Sequence, residues 1–220
     1  MKNYTDSEFF DCPFRGVTSV LNAIFGNKYE NTNIPEHILK AAGERGTAVH
    51  KYIEDWLNWY KNQSEIEPHL GLEYAVYETI FKEWLKDRID YNIEPLYTEQ
   101  KIINEKLGVK GIIDCIAKVE GKVCMIDWKT SSNLDEWSTE CQLQLYYIML
   151  LKGNKEERAI AKSIEELRCL SLTKSGYRWF KFSINKKLGE AILELWNLHF
   201  REIAEAEKAK EKSIGGTVVL

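Results

Sequence analysis

Residues 108–132 read GVKGIIDCIAKVEGKVCMIDWKTSS. Two apolar runs, 109–119 and 122–128, flank Glu120-Gly121, and each carries one carboxylate, Asp114 and Asp127. Runs of this length on either side of turn residues read as two strands of a hairpin. Side chains alternate along a strand, so Val123, Met125, Asp127 and Lys129 share one face while Trp128 takes the other. On the preceding strand Ile112, Asp114 and Ile116 share a face. A turn centred on Glu120-Gly121 sets Val119 opposite Lys122, and counting back brings Asp114 opposite Asp127 and Ile112 opposite Lys129. A three-residue loop would slip the register by one and break that pairing.

Directly opposed side chains hold their Cβ atoms about 4.5–5.5 Å apart, and like charges there destabilise the pair. Two carboxylates on an apolar hairpin face therefore need a reason. One could keep a proton because its neighbour raises its pKa, or a cation could sit between them. Hard oxygen donors without a thiolate cluster favour Mg2+ or Mn2+ over zinc. Lys129, next along the same face, would then hold a water or a phosphate oxygen. The competing reading is a plain Asp127–Lys129 ion pair at a solvent-facing strand end.

Outward from the hairpin, the chain before residue 92 has helical periodicity. Candidate helices cover 18–26, 35–42 with Pro35 in the first turn, and a longer one opened by Gly46-Thr47 and running to about Tyr60. Val49, Tyr52, Ile53, Trp56 and Tyr60 form its stripe. A further helix over roughly 70–89 turns Tyr74, Tyr77, Phe81, Trp84 and Leu85 inward. Strands are expected at 96–104, 109–119 and 122–128. A nearly all-apolar buried helix then spans 138–151, and two strands at 166–173 and 177–183 are joined through Lys174-Ser175-Gly176. A charged helix over 185–211 closes the order. Helices, then β-β-β-α-β-β, then a helix predict an α+β, or mixed α/β, fold around a central sheet.

The 220 residues suit a single domain and can bury a core without staples, and hydrophobic and charged fractions of 44% and 29% are those of a soluble globular chain. We divide it into a helical cover (1–92), a catalytic sheet core (93–184) and a C-terminal helix and tail (185–220). No apolar run is long enough to span a membrane. The acidic, aromatic start MKNYTDSEFFDCPF lacks a signal-peptide core, which predicts a cytosolic protein. Cysteines 12, 115, 124, 141 and 169 form no CxxC pair and read as reduced thiols. A net charge of −4 argues against a surface that coats nucleic acid, though not against a local cleft.

The hairpin resembles the core of the PD-(D/E)XK nuclease superfamily, in which an Asp is followed about a dozen residues later by D-x-K at the end of the next strand. Within it the chain is most similar to the RecB-like branch, above all to mitochondrial genome maintenance exonucleases and their phage relatives. Gln142 and Tyr146 match that branch's Q-x-x-x-Y helix. Gly46, Thr47 and His50 match its upstream G-T-x-x-H.

The resemblance implies a restriction-endonuclease-like core: a central mixed β-sheet flanked by helices, with the helical N-terminal region narrowing the site to a channel. It implies Asp114, Asp127 and the Trp128 backbone carbonyl as metal ligands, with His50 as a further one and Glu99 as an auxiliary carboxylate. Lys129 positions the attacking water, and Gln142 and Tyr146 complete the catalytic group. Glu54, four residues after His50, lies on the same helix face. Arg45, Lys110, Lys174 and Arg178, together with Lys101, are candidates to guide DNA, and Trp137 or Tyr147 to stack on bases. The ion is Mg2+ or Mn2+. No iron–sulfur cluster is expected, because the C-terminal cysteines of the CRISPR-associated relatives are missing.

The implied activity is a metal-dependent DNA exonuclease of repair or recombination, working on single strands or free ends in a bacterial or phage-infected cell. The alternatives are a structure-specific or restriction-type endonuclease, or a catalytically silent fold that binds DNA or a protein.

Overall fold

The hairpin forms as its pattern requires. In the computed structural model, β3 (Val109–Val119) and β4 (Lys122–Lys129) pair antiparallel with Val119 opposite Lys122 and Ile116 opposite Met125. Glu120 and Gly121 take φ of 53° and 83°. Two successive left-handed residues make the tight turn whose twist matches the flanking strands. The structure describes residues 3–27, 33–62, 68 and 72–215, and the side chains of these except 72, 73 and 201–215.

Around the hairpin run α1 (Asp6–Phe10), β1 (Arg15–Gly16), α2 (Val17–Phe25), α3 (Glu36–Asn62), α4 (Glu78–Tyr91) and β2 (Glu94–Asn104). After it come α5 (Glu136–Leu151), α6 (Lys155–Ser163), β5 (Glu166–Thr173), β6 (Gly176–Phe182) and α7 (Lys186–Gly215). The sheet order is β1-β3-β4-β5-β6, with β2 also paired to β3. The β1–β3 and β4–β5 pairs are parallel and the others antiparallel, so the sheet is mixed.

Two apolar cores lie against this sheet. One joins Val20, Ile113, Ile116, Met125, Leu145 and Ile192, from α2, the strands, α5 and α7. The other joins Ile53, Trp84, Cys115, Ile126, Trp128 and Leu170, from α3, α4 and the strands. β3 changes sides at Asp114. Val109 and Ile113 belong to the first core, whereas Cys115, Ala117 and Val119 belong to the second. The face shared by Ile112, Asp114 and Ile116 in the simple alternation is thus interrupted at the acid itself.

Several expected elements differ. The helices at 35–42 and 46–60 are one, α3. Glycine costs a helix about 1 kcal/mol without ending it, and burial of Val49, Ile53 and Leu57 outweighs the cost of Gly43 and Gly46. The 70–89 helix is a 3-10 turn, Leu72–Tyr77, followed by α4. Its residues 70–71 lie outside the described ones, and Tyr74 is exposed rather than inward. The short α1, β1 and α6 were not anticipated. α1 and α6 each start with a capping box, Thr5 with Glu8 and Asn154 with Glu157, which satisfies first-turn N–H groups.

Candidate active site

β4 ends where β3 twists away. The ladder between them stops at Cys115 opposite Ile126. One step further, the Trp128 N–H donates to Asp114 Oδ2 at 2.8 Å. Asp114 therefore takes the place of a ladder acceptor for β4. Across β3, Gln100 pairs with Ile113 and Thr98 with Cys115, which sets Glu99 level with Asp114. Glu99 has a φ of 46°. A non-glycine residue held in the left-handed region inside a strand is strained, and here the strain accompanies a carboxylate turned toward Asp114.

α3 brings His50 onto this point. Nε2 lies 2.9 Å from the Trp128 carbonyl. A carbonyl only accepts, so Nε2 carries the proton, and in the neutral ring Nδ1 is an acceptor. Yet Nδ1 lies 3.6 Å from Asp114 Oδ2 and 4.0 Å from Glu99 Oε1. A lone pair facing two carboxylates is repulsive unless a second proton or a cation lies between them. One donor atom from each of His50, Glu99 and Asp114 falls within 4.8 Å of the other two. An imidazole and two carboxylates without a thiolate fit a hard divalent cation.

The carboxylates carry the electrostatic signature of crowding. Burial pushes the Glu99 carboxyl up to about 8, with the charges of Asp114, Glu54 and Asp127 adding to it. Asp114 is also raised, by burial and by Asp127, against the opposing pull of His50 and Lys129.

Asp127 sits just beyond this triad, with its oxygens already engaged. Lys129 Nζ lies 3.0 and 2.8 Å from Oδ1 and Oδ2, and Gln142 Nε2 donates to Oδ1 at 3.0 Å. Lys129 also donates to Gln142 Oε1 at 3.1 Å. Burial alone would lower the ammonium's pKa. Asp127 and Asp114 outweigh that and raise it, so Lys129 is a cationic donor. Tyr146, one turn beyond Gln142 on α5, is buried, with its hydroxyl beside Gln142 and the Ile112 backbone. Burial and the charges of Asp114 and Asp127 raise its pKa.

The structure thus gathers His50, Glu99, Asp114, Asp127, Trp128, Lys129, Gln142 and Tyr146 around the end of β4. It does not bring together all the DNA-guiding candidates. Lys110 donates to the backbone carbonyls of Phe9, Phe10 and Cys12 at 2.9, 3.0 and 3.1 Å. Its ammonium holds the N-terminal segment and has no donor left for a phosphate. Lys101 is paired with Asp6. Tyr147 is 4% exposed within the first core, so neither ring face is open to a base. Trp137 is exposed and packs edge-on against Phe25. Arg45, Lys174 and Arg178 line a groove beside the site.

Gly111 packs directly against the site. A side chain at Gly111 would come within 2.4 Å of Tyr146 Cε1 and 3.1 Å of Val17 Cγ2. The signal was present, since a glycine inside a strand marks a close approach.

Comparison with known proteins supplies the family. The family model of the PD-(D/E)XK nuclease superfamily matches residues 7–212. Over 33 residues the chain is 48% identical to mitochondrial genome maintenance exonuclease 1 of Homo sapiens, a match covering 15% of this chain and 10% of that protein. A putative exonuclease from Eubacterium rectale superposes with a TM-score of 0.54 at 13% identity, covering 95% of this chain and 88% of that one. The alkaline exonuclease LHK-Exo from Laribacter hongkongensis gives 0.42 at 12% identity, covering 91% and 93%. At such identities the structural likeness concerns the fold alone. With a family model spanning nearly its whole length, and with the acids and lysine clustered at one strand end, this chain belongs to the PD-(D/E)XK nuclease superfamily.

Proposed function

We propose that the protein is a metal-dependent DNA exonuclease acting on single strands or free ends. The observation that carries this reading is the convergence of His50 Nδ1, Glu99 and Asp114 next to the Lys129–Asp127–Gln142 cluster. In this reading His50, Glu99 and Asp114 hold Mg2+ or Mn2+, bordered by Asp127 and the Trp128 carbonyl. A bound divalent ion lowers the pKa of a water and stabilises charge growing on a phosphate.

The chain's own groups do the rest. Lys129, protonated and held by Asp127 and Gln142, orients the water or a non-bridging phosphate oxygen instead of removing a proton. Gln142 fixes both partners, and Tyr146 fixes Gln142 in turn. Support for an exonuclease, as distinct from an endonuclease, comes from the exonuclease relative and from the position of the site beneath α3.

The test is digestion of end-labelled single- and double-stranded oligonucleotides with Mg2+ or Mn2+, with a circular single strand alongside. Stepwise shortening of linear strands, an intact circle, and loss of activity in Asp114→Asn are expected. Cutting of the circle would make the protein an endonuclease. An Asp114→Asn variant as active as the parent would remove the enzyme reading.

A further inference from the structure

The groove beside the site has its own chemistry. One part, of ≈ 450 Å³, is lined by Ser132, Asn133, Ser171, Thr173, Ser175 and Arg178, among others. An adjoining part, of ≈ 390 Å³, shares Ser132, Thr173 and Ser175 and adds Arg45, Thr130 and Lys174. The floor is continuous with the catalytic strand. Ser171 on β5 pairs with Lys129 on β4, and Thr130, the next residue, accepts from Arg45 Nε at 3.3 Å. β4 and β5 are parallel, so the groove lies at their shared carboxyl ends, where ligands of open α/β sheets bind.

Among the described residues neither Lys174 nor Arg178 has a carboxylate within ion-pair range, although the chain carries a net −4. Glu136 is an acid in the lining. Of the two rings in the wall, Tyr177 donates its hydroxyl to Asp90 at 2.6 Å, and the centroid of Phe180 lies 4.6 Å from the Arg178 guanidinium.

We propose that this groove holds the sugar–phosphate backbone of a polynucleotide just outside the scissile bond, with Arg45, Lys174 and Arg178 as phosphate partners and the hydroxyls of Ser132, Thr173 and Ser175 as further donors. The proposal rests on the nuclease reading. Cations interleaved with small hydroxyls recognise a repeating phosphate, and contacts of that kind read backbone rather than base. Substrate is therefore held without regard to sequence.

The test compares an oligothymidylate with the p-nitrophenyl ester of thymidine 5′-phosphate, a single phosphodiester too short to reach the groove. In Lys174→Ala/Arg178→Ala the ratio of kcat/KM on the oligomer to that on the ester should fall about tenfold, and the salt slope for the oligomer should shrink by about one per removed cation. The conservative pair Lys174→Arg/Arg178→Lys should restore both. An unchanged ratio, or equal losses on both substrates, overturns the groove. Should the parent hydrolyse neither substrate, the nuclease reading fails by itself. Anisotropy of a labelled oligothymidylate in EDTA then decides the groove: a roughly tenfold weaker Kd in the alanine pair supports it, and an unchanged Kd overturns it.

Discussion

At the scale of single residues, Gly111 and His50 tie the site to the fold. The space a Gly111 side chain would need is filled by the Tyr146 ring, and Tyr146 lies beside Gln142, which holds Asp127 and Lys129. Gly111→Ala must displace that ring. We expect a loss of about 1–3 kcal/mol in urea unfolding from overpacking, together with a fall in kcat larger than any change in KM. Retention of both parental stability and kcat would show that Tyr146 is not placed by this contact. His50 tests the ligand set differently. His50→Ala removes the imidazole of the triad, and Mn2+ titration by calorimetry should show affinity at least about tenfold weaker, since even indirect support of a ligand is worth 10–100-fold. Parental affinity would assign the ion to other groups.

At the scale of elements, what the sequence conceals is mostly tertiary. The hairpin was legible because its turn fixes register and register fixes which side chains meet. The break expected between residues 42 and 46 was not real, because Gly43 and Gly46 look like stops only when the burial of the stripe behind them is ignored. A side chain at Gly43 would meet nothing within 4 Å, and the position is exposed and helical. Gly43→Ala should accordingly raise stability by about 0.4–1 kcal/mol by stiffening the unfolded chain, read as a higher urea midpoint with an unchanged slope; a lower midpoint would mean that α3 bends there. The role of Lys110 was hidden for a related reason, since the carbonyls it serves belong to α1 and the turn after it, a segment too short to announce itself. Tyr147 was misplaced because an all-apolar helix gives no sign of which ring faces outward. The ladder keeps the expected register and stops one step short of Asp114 and Asp127, because alternation assumes a strand that keeps its face, and β3 does not.

At the scale of the whole molecule, the two cores are held to opposite faces of one sheet, and a buried acid seals one of them. Asp87 on α4 is fully buried and accepts from Trp179 Nε1 on β6 at 2.6 Å. Its other oxygen has no hydrogen-bond partner among the described residues. Burial pushes its pKa up to about 7; Asp90 adds to the rise, and the Trp179 hydrogen bond and Arg168 oppose it. An unfolded Asp releases its proton near pH 4, so between about pH 4 and 7 the folded state binds more protons than the unfolded one, and stability falls as pH rises through that window. Above pH 7 the loss levels off, at no more than about 4 kcal/mol for a displacement of this size. Asp87→Asn keeps the acceptor for Trp179 and cannot ionise. The unfolding free energy of the variant should therefore exceed that of the parent by a margin that is small near pH 4 and grows toward pH 8. A margin that stays flat across that range would show that Asp87 is ionised in the folded protein, and that α4 is held to β6 by a charge instead of a proton.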